Sequence, residues 1–403
     1  MFCRICGKEI PREALYCTGC GAPVGRSVEV PPPKKNNKLV LIVITVLIVA
    51  ICIAAYAVSV DDEIPSKTYG DITISGGLID DDVGFTDTGL EYTGEGDAEW
   101  KYLDTALPFY EHREGTYVPR GHILVSGDVL EVPEPGVYDV ILSVDGVERL
   151  QGVMIKDGEI CRTYEWSAKI GSNDVKRFTV DFTYTLSEFR TYSESTTERN
   201  KSFMNGDSRF VVTDGTMWRF HSCLFEEYRS VFGNDVSVSD QSYADYLLSF
   251  VQCAISYPDQ ISYSNGAYIS DRENGNGDMY LRGTSEYWAF PIETIHLGVG
   301  DCEDTTFLLV SLYSVAGYDS ALVSLPGHMM AAVELESFDL RTSEHKAVLA
   351  CKRIIGHEYN IYFCETTCDV AVPVGYTPEG LRDTILDEID TVTFIRSSQG
   401  GYA

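Results

Sequence analysis

Leu39 to Val60 (LVLIVITVLIVAICIAAYAVSV) runs for 22 residues without a charged side chain. As a helix rising 1.5 Å per residue it spans about 33 Å, close to the hydrocarbon thickness of a bilayer. A core helix of that length carries a polar stripe, and here only Thr45 and Ser59 interrupt the run. It is too long, and follows too long a leader, to be a cleaved signal peptide, so it is expected to be a retained single-pass anchor. Lys34, Lys35 and Lys38 precede it, while Asp61, Asp62 and Glu63 follow. The Lys/Arg bias places the N-terminus in the cytoplasm and the larger C-terminal part outside the cell membrane. Pro31-Pro32-Pro33 makes the preceding linker a stiff spacer.

Charge divides along the same line. Residues 1–60 hold 7 Lys/Arg and 3 Asp/Glu, whereas residues 61–403 hold 24 and 58. An exterior with so large an acidic excess repels phosphates, so nucleic acid is excluded as a partner.

The cytoplasmic head carries Cys3-Arg-Ile-Cys6-Gly7 and Cys17-Thr-Gly-Cys20-Gly21. A two-residue gap lets both thiolates of a knuckle reach one ion, and the following glycine permits the tight turn. Four thiolates at these spacings predict a tetrahedral, structural Zn²⁺ held by Cys3, Cys6, Cys17 and Cys20, with no open position for catalysis. A segment of about 25 residues has no core of its own, so the metal supplies the folding energy. The segment resembles the short zinc ribbons at the N-termini of many prokaryotic membrane proteins.

Beyond the anchor, Asp71 to Lys156 reads as short strands broken by turns. Val137–Val144 is followed by Asp145-Gly146, and Gly152–Ile155 by Asp157-Gly158, both hairpin signals. Asp80-Asp-Asp82 and residues 89–97 read as solvated loops. The pattern predicts a β-sandwich-like spacer. Residues 177–189 alternate as a further strand, and 239–257 carry Tyr243, Tyr246, Leu247, Phe250, Val251 and Ala254 at helical spacing.

Residues 291–317 (PIETIHLGVGDCEDTTFLLVSLYSVAG) hold the candidate chemistry. Gly298-Val-Gly300 breaks the chain, Asp301 is placed to N-cap, Asp304 follows as a capping-box acid, and Gly317 ends the helix. Cys302 then lies in the first turn, where the helix dipole favours a thiolate. Asp301, Glu303 and Asp304 oppose that shift, so a basic partner is needed. Pro326-Gly327 precedes His328 at the start of a predicted strand, and a further strand over 359–365 brings Glu365 to the far side of the imidazole. Such a carboxylate fixes the tautomer and stabilises the imidazolium. His357 is a rival base. Residues 271–278 (DRENGNGD) fail as an EF-hand, since Asn276 and Arg282 stand where Gly and Glu are required.

These residues resemble the transglutaminase-like cysteine protease superfamily, particularly its archaeal and bacterial members. The resemblance rests on Gly300-Asp-Cys-Glu-Asp304, Pro326-Gly-His328 and Glu365-Thr-Thr367, with Ser249–Gln252 and Pro291–Thr294 upstream. It implies a papain-like core with Cys302 as nucleophile, His328 as base and Glu365 as orienting acid, where many relatives carry Asp. Gln252 is the implied side-chain donor to an oxyanion.

The expected fold class is therefore multidomain α+β: a zinc ribbon (1–25), a linker (26–38), a transmembrane helix (39–60), a β-sandwich-like domain (61–160) and a papain-like transglutaminase core (161–403). The expected function is a membrane-anchored, extracytoplasmic enzyme that cleaves or transfers amide or acyl groups of proteins or peptides. The alternatives are an inactive binding or scaffolding module and a transmembrane sensor whose output is the zinc ribbon. Outside lie seven cysteines, an odd number that leaves at least one unpaired and allows up to three disulfides among the rest.

Overall fold

Apolar and polar residues alternate through much of the chain after residue 60, and that period builds sheets. The computed structural model describes residues 65–114, 116–199, 207–234, 241–258, 261–264, 267–270, 277–339, 349–350, 361–368, 370–376 and 391–397. The expected zinc ribbon, linker and anchor lie outside the described residues. Ile64–Ala403 form a single unit by their contacts.

Six antiparallel strands lie in the order Ser66–Tyr69, Ile72–Gly76, Val147–Lys156, Gly136–Val144, Ala98–Asp104 and Ile123–Ser126. A three-stranded sheet of Val83–Phe85, Gly89–Tyr92 and Val129–Glu131 shares their core, with Leu90 and Leu130 packed among Ile74, Trp100, Val140 and Met154. The Asp145-Gly146 hairpin forms as expected: φ is 53° at Asp145 and 75° at Gly146, the left-handed pair that matches strand twist.

Glu159–Lys169 and Val175–Thr185 form a long hairpin that turns Tyr164, Trp166, Phe178, Val180 and Phe182 to one face. That face packs on the helices Gly215–Phe232 and Gln241–Ala254, whose Phe220, Tyr246 and Phe250 enter the same core. Trp166 and Phe250 meet edge-on at 5.3 Å. A second antiparallel sheet orders Leu349–Ala350, Ile361–Cys364, His328–Glu334, Ser320–Leu325 and Thr391–Ile395. The helix Cys302–Ala316 packs against it.

The expected fold class is corrected by this architecture. Rather than a multidomain α+β chain with a papain-like core, the described residues are mostly β, in several small sheets with six α-helices among them. No helix among the described residues is long and apolar enough to cross a membrane. Three local readings are also corrected. Residues 89–97 are not all loop, because Gly89–Tyr92 form a strand with Leu90 and Tyr92 buried around an outward Glu91. Asp157-Gly158 makes no hairpin, since Val147–Lys156 and Glu159–Lys169 belong to different sheets. The strand expected to reach 189 stops at Thr185. Its hydroxyl accepts from Glu188 N–H while the Glu188 carboxylate accepts from Thr185 N–H, and this capping box opens the helix Leu186–Ser193.

Candidate active site

Gly300 sets the approach to the cysteine. A Cβ there would stand 2.9 Å from both Asp304 Cβ and Thr294 Cγ2, so only glycine lets the chain pass between them. Cys302–Ala316 then begins as a helix buried on every face, with Glu303, Asp304, Thr305 and Thr306 buried along with its apolar residues. Asp301 occupies the N-cap, but its side chain makes no capping bond. Asp304 supplies the cap instead, accepting from the Asp301 N–H and, at 2.8 Å, from Ala289 N–H. Gly317 closes the helix with φ of 94°.

Leu325 and His328 face each other across the Pro326-Gly327 turn, and Ala331 pairs with Cys364 on the neighbouring strand. This register delivers Glu365, one residue past its strand, to the imidazole: His328 Nε2 and Glu365 Oε2 lie 2.9 Å apart. Glu365 is 3% exposed. Burial pushes its carboxyl up, but the His328 bond and two bonds from the Thr367 N–H and hydroxyl outweigh it. The group therefore lies below its ordinary range. With Nε2 donating to the carboxylate, Nδ1 is the nitrogen left to accept a proton.

Cys302 is 7% exposed. Its sulfur accepts from the N–H of Met329, the residue after His328, and its thiol donates to Glu303 Oε2 at 3.0 Å. No hydrogen bond joins Cys302 to His328 among the described residues. The expected lowering of the thiol by the helix dipole is overturned. Burial pushes it well above its ordinary value, and the negative charges of Glu303 and Asp301 add to the rise.

Gln252 makes two bonds within the fold. Its Nε2 donates to the Glu365 carbonyl at 2.7 Å, and its Oε1 accepts from Val372 N–H at 3.0 Å. It also lines a polar cleft of about 310 Å³ with Cys253, Tyr257, Thr305, Thr366 and Cys368. Thr305 ties the cleft to the backbone of the cysteine, its hydroxyl reaching the Cys302 carbonyl at 3.2 Å, while Cys302 and His328 are not among the residues that line it.

Other candidates fall elsewhere. His296 is a core residue bonded to Tyr184 Oη at 2.7 Å, and burial, helped by Arg162 and Arg282, pulls it down to about 3. His357 and the expected zinc ligands Cys3, Cys6, Cys17 and Cys20 lie outside the described residues. Among the described residues, Cys161, Cys223, Cys253, Cys302 and Cys364 are free thiols.

Sequence reasoning missed two features. Thr366 and Thr367 hold the third strand's exit, a role that the Glu-Thr-Thr motif contains but does not announce. Arg199, far upstream, pins the helix before the cysteine: its Nη1 lies 2.6 Å from Glu293 Oε2. Comparison of the chain with protein-family models, with curated proteins and with solved structures finds no match.

Proposed function

We propose that the part of the chain after the anchor is a cysteine-dependent amide hydrolase or acyl transferase of the transglutaminase-like kind, acting on protein or peptide. The observation that carries the reading is that His328, one residue before the Met329 amide that meets the Cys302 sulfur, pairs its Nε2 with buried Glu365 at 2.9 Å. In this scheme His328 Nδ1 takes the thiol proton and the sulfur attacks a substrate carbonyl, forming the C–S bond. The Cys302 N–H and the second Nε2 hydrogen of Gln252 receive the oxyanion. The imidazolium then protonates the leaving amine, the C–N bond breaks, and a thioester remains. Water completes a hydrolysis and an amine completes a transfer, each breaking the C–S bond and returning the proton to sulfur.

The test uses the full chain in detergent with dimethylcasein and hydroxylamine. Hydroxamate forms with the wild type and not with Cys302→Ala. A binding module without chemistry is the second reading, favoured by the Cys302–Glu303 bond and the raised thiol. It predicts equal, background hydroxamate from both proteins.

We also propose that Cys3, Cys6, Cys17 and Cys20 hold one structural zinc on the cytoplasmic side, supported by the spacing of the four thiolates. Metal analysis of the full chain finds about one zinc per chain, and Cys17→Ser removes it; unchanged zinc content would exclude these ligands. Anchoring by residues 39–60 predicts that alkaline carbonate leaves the chain in the membrane pellet, and release into the supernatant contradicts it.

A further inference from the structure

A set of carboxylates lies buried on the other side of the cysteine helix's first turn. Asp278, in the short helix Gly277–Arg282, is 2% exposed, Asp304 2% and Asp301 8%. One carboxylate oxygen from each of the three lies within 4.8 Å of the other two. Ligand oxygens 2.3–2.6 Å from a common ion are never more than about 5 Å apart, so this spacing suits one hard cation.

Hydrogen bonding independently asks for a ligand. Asp278 Oδ2 accepts from Tyr287 N–H at 2.6 Å, and Asp304 Oδ1 from Ala289 N–H. Asp278 Oδ1 and Asp301 Oδ1 are shut away from solvent and have no hydrogen-bond partner, although the Asp301 carboxyl does share a hydrogen bond with the Glu303 side chain. Two orphaned carboxylate oxygens, in residues more than nine-tenths buried, are costly unless something positive or protic meets them. The backbone makes room for them: a Cβ at Gly277 would stand 3.2 Å from Asp301 Oδ2. Glu286 and Glu303 also approach Asp278, but Trp288 Nε1–H and the Cys302 thiol engage them.

We infer that Asp278, Asp301 and Asp304 form a binding site for a hard, oxygen-seeking divalent cation such as Ca²⁺ or Mg²⁺. Three carboxylates and no sulfur or imidazole select this class over zinc or copper. Water and main-chain oxygens fill the remaining positions. The site adjoins the cysteine, because Asp301 precedes Cys302 and its charge raises the thiol, but its test does not use the proposed cysteine chemistry.

Tb³⁺ luminescence tests this on the full chain in detergent, because Tyr287 and Trp288 adjoin the carboxylates and sensitise a bound lanthanide. The expected result is a saturable signal, displaced by Ca²⁺ or Mg²⁺ but not by K⁺ at equal ionic strength. Asp278→Asn keeps an acceptor for Tyr287 N–H and weakens binding at least tenfold; Asp301→Asn does the same. No saturable signal, or a signal unchanged in a folded Asp278→Asn variant, overturns the site. Should both variants fail to fold, the wild-type melting temperature decides. A rise with divalent cation beyond that given by K⁺ supports the site, and no rise overturns it.

Discussion

Arg199→Met lowers the stability of the folded chain by about 3–5 kcal/mol, the cost of stranding a buried charge. The Arg199 and Glu293 side chains are 10% and 0% exposed. Glu293 Oε2 accepts from Arg199 and from Phe290 N–H, and Oε1 accepts from the Tyr287 hydroxyl at 2.8 Å. Arg199 also donates to the Trp288 and Tyr192 carbonyls and lies over the Tyr287 and Phe290 rings, 4.6 and 4.9 Å from their centroids. Methionine preserves the stem and removes all of these bonds. Arg282, 3.8 Å from Glu293 Oε1, offsets only part of the charge. Because the penalty belongs to the pair, Arg199→Met with Glu293→Gln costs less than the sum of the two single changes. Denaturant melts of the four proteins measure this. A single-variant cost under about 1 kcal/mol, the range of a surface pair, would show that the pair does not anchor the helix leading to Cys302.

Glu365→Gln reduces hydroxamate formation by two to four orders of magnitude, on the scale of losing the orienting acid of a triad. The argument is one of tautomers. The Thr367 N–H and hydroxyl both donate to Oε1, so a glutamine keeps its oxygen there and turns its NH₂ toward His328 Nε2. Nε2 must then accept, which puts the proton on Nδ1 and removes the base facing the thiol. Cys302→Ala goes further, to the background. Thr367→Val deletes one of the two bonds that orient the carboxylate and gives an intermediate loss. Circular dichroism separates these effects from unfolding. If Glu365→Gln retains full rate while folded, the imidazole is not oriented by this acid.

Much of the site's geometry is legible because it is local or punctuated. Gly300, Asp301 and Gly317 bracket the cysteine helix, and Pro326-Gly327 times the turn that presents His328. The meeting of His328 with Glu365 follows from two strands pairing side by side, which their short, continuous apolar runs announce. What escapes the sequence is depth. Nothing in the order of residues says that Cys302 is buried, yet burial reverses the direction in which its thiol is shifted. Distance escapes too: Asp278 meets Asp301 and Asp304 only after the chain folds, and within its own segment it reads as part of a failed calcium loop. At fold level, the alternation through 175–185 runs into Leu186 and Phe189, so the Thr185–Glu188 capping box is masked by a pattern that suits either element. Small sheets also leave fainter marks than long ones, because strands of three or four residues complete barely two periods.

Alkylation tests the central claim, that His328 activates Cys302, without needing a substrate. The full chain is treated with limiting iodoacetamide at neutral pH, and each cysteine's rate is read by mass spectrometry. Exposed Cys161 reports simple accessibility, and Cys253 and Cys368 report the cleft. The account predicts that Cys302, despite its 7% exposure, is alkylated faster than Cys253 and Cys368. It also predicts that His328→Ala slows Cys302 alone by at least tenfold. Equal labelling of Cys302 with and without His328, or none while the cleft cysteines react, contradicts an activated cysteine and leaves a binding module in its place.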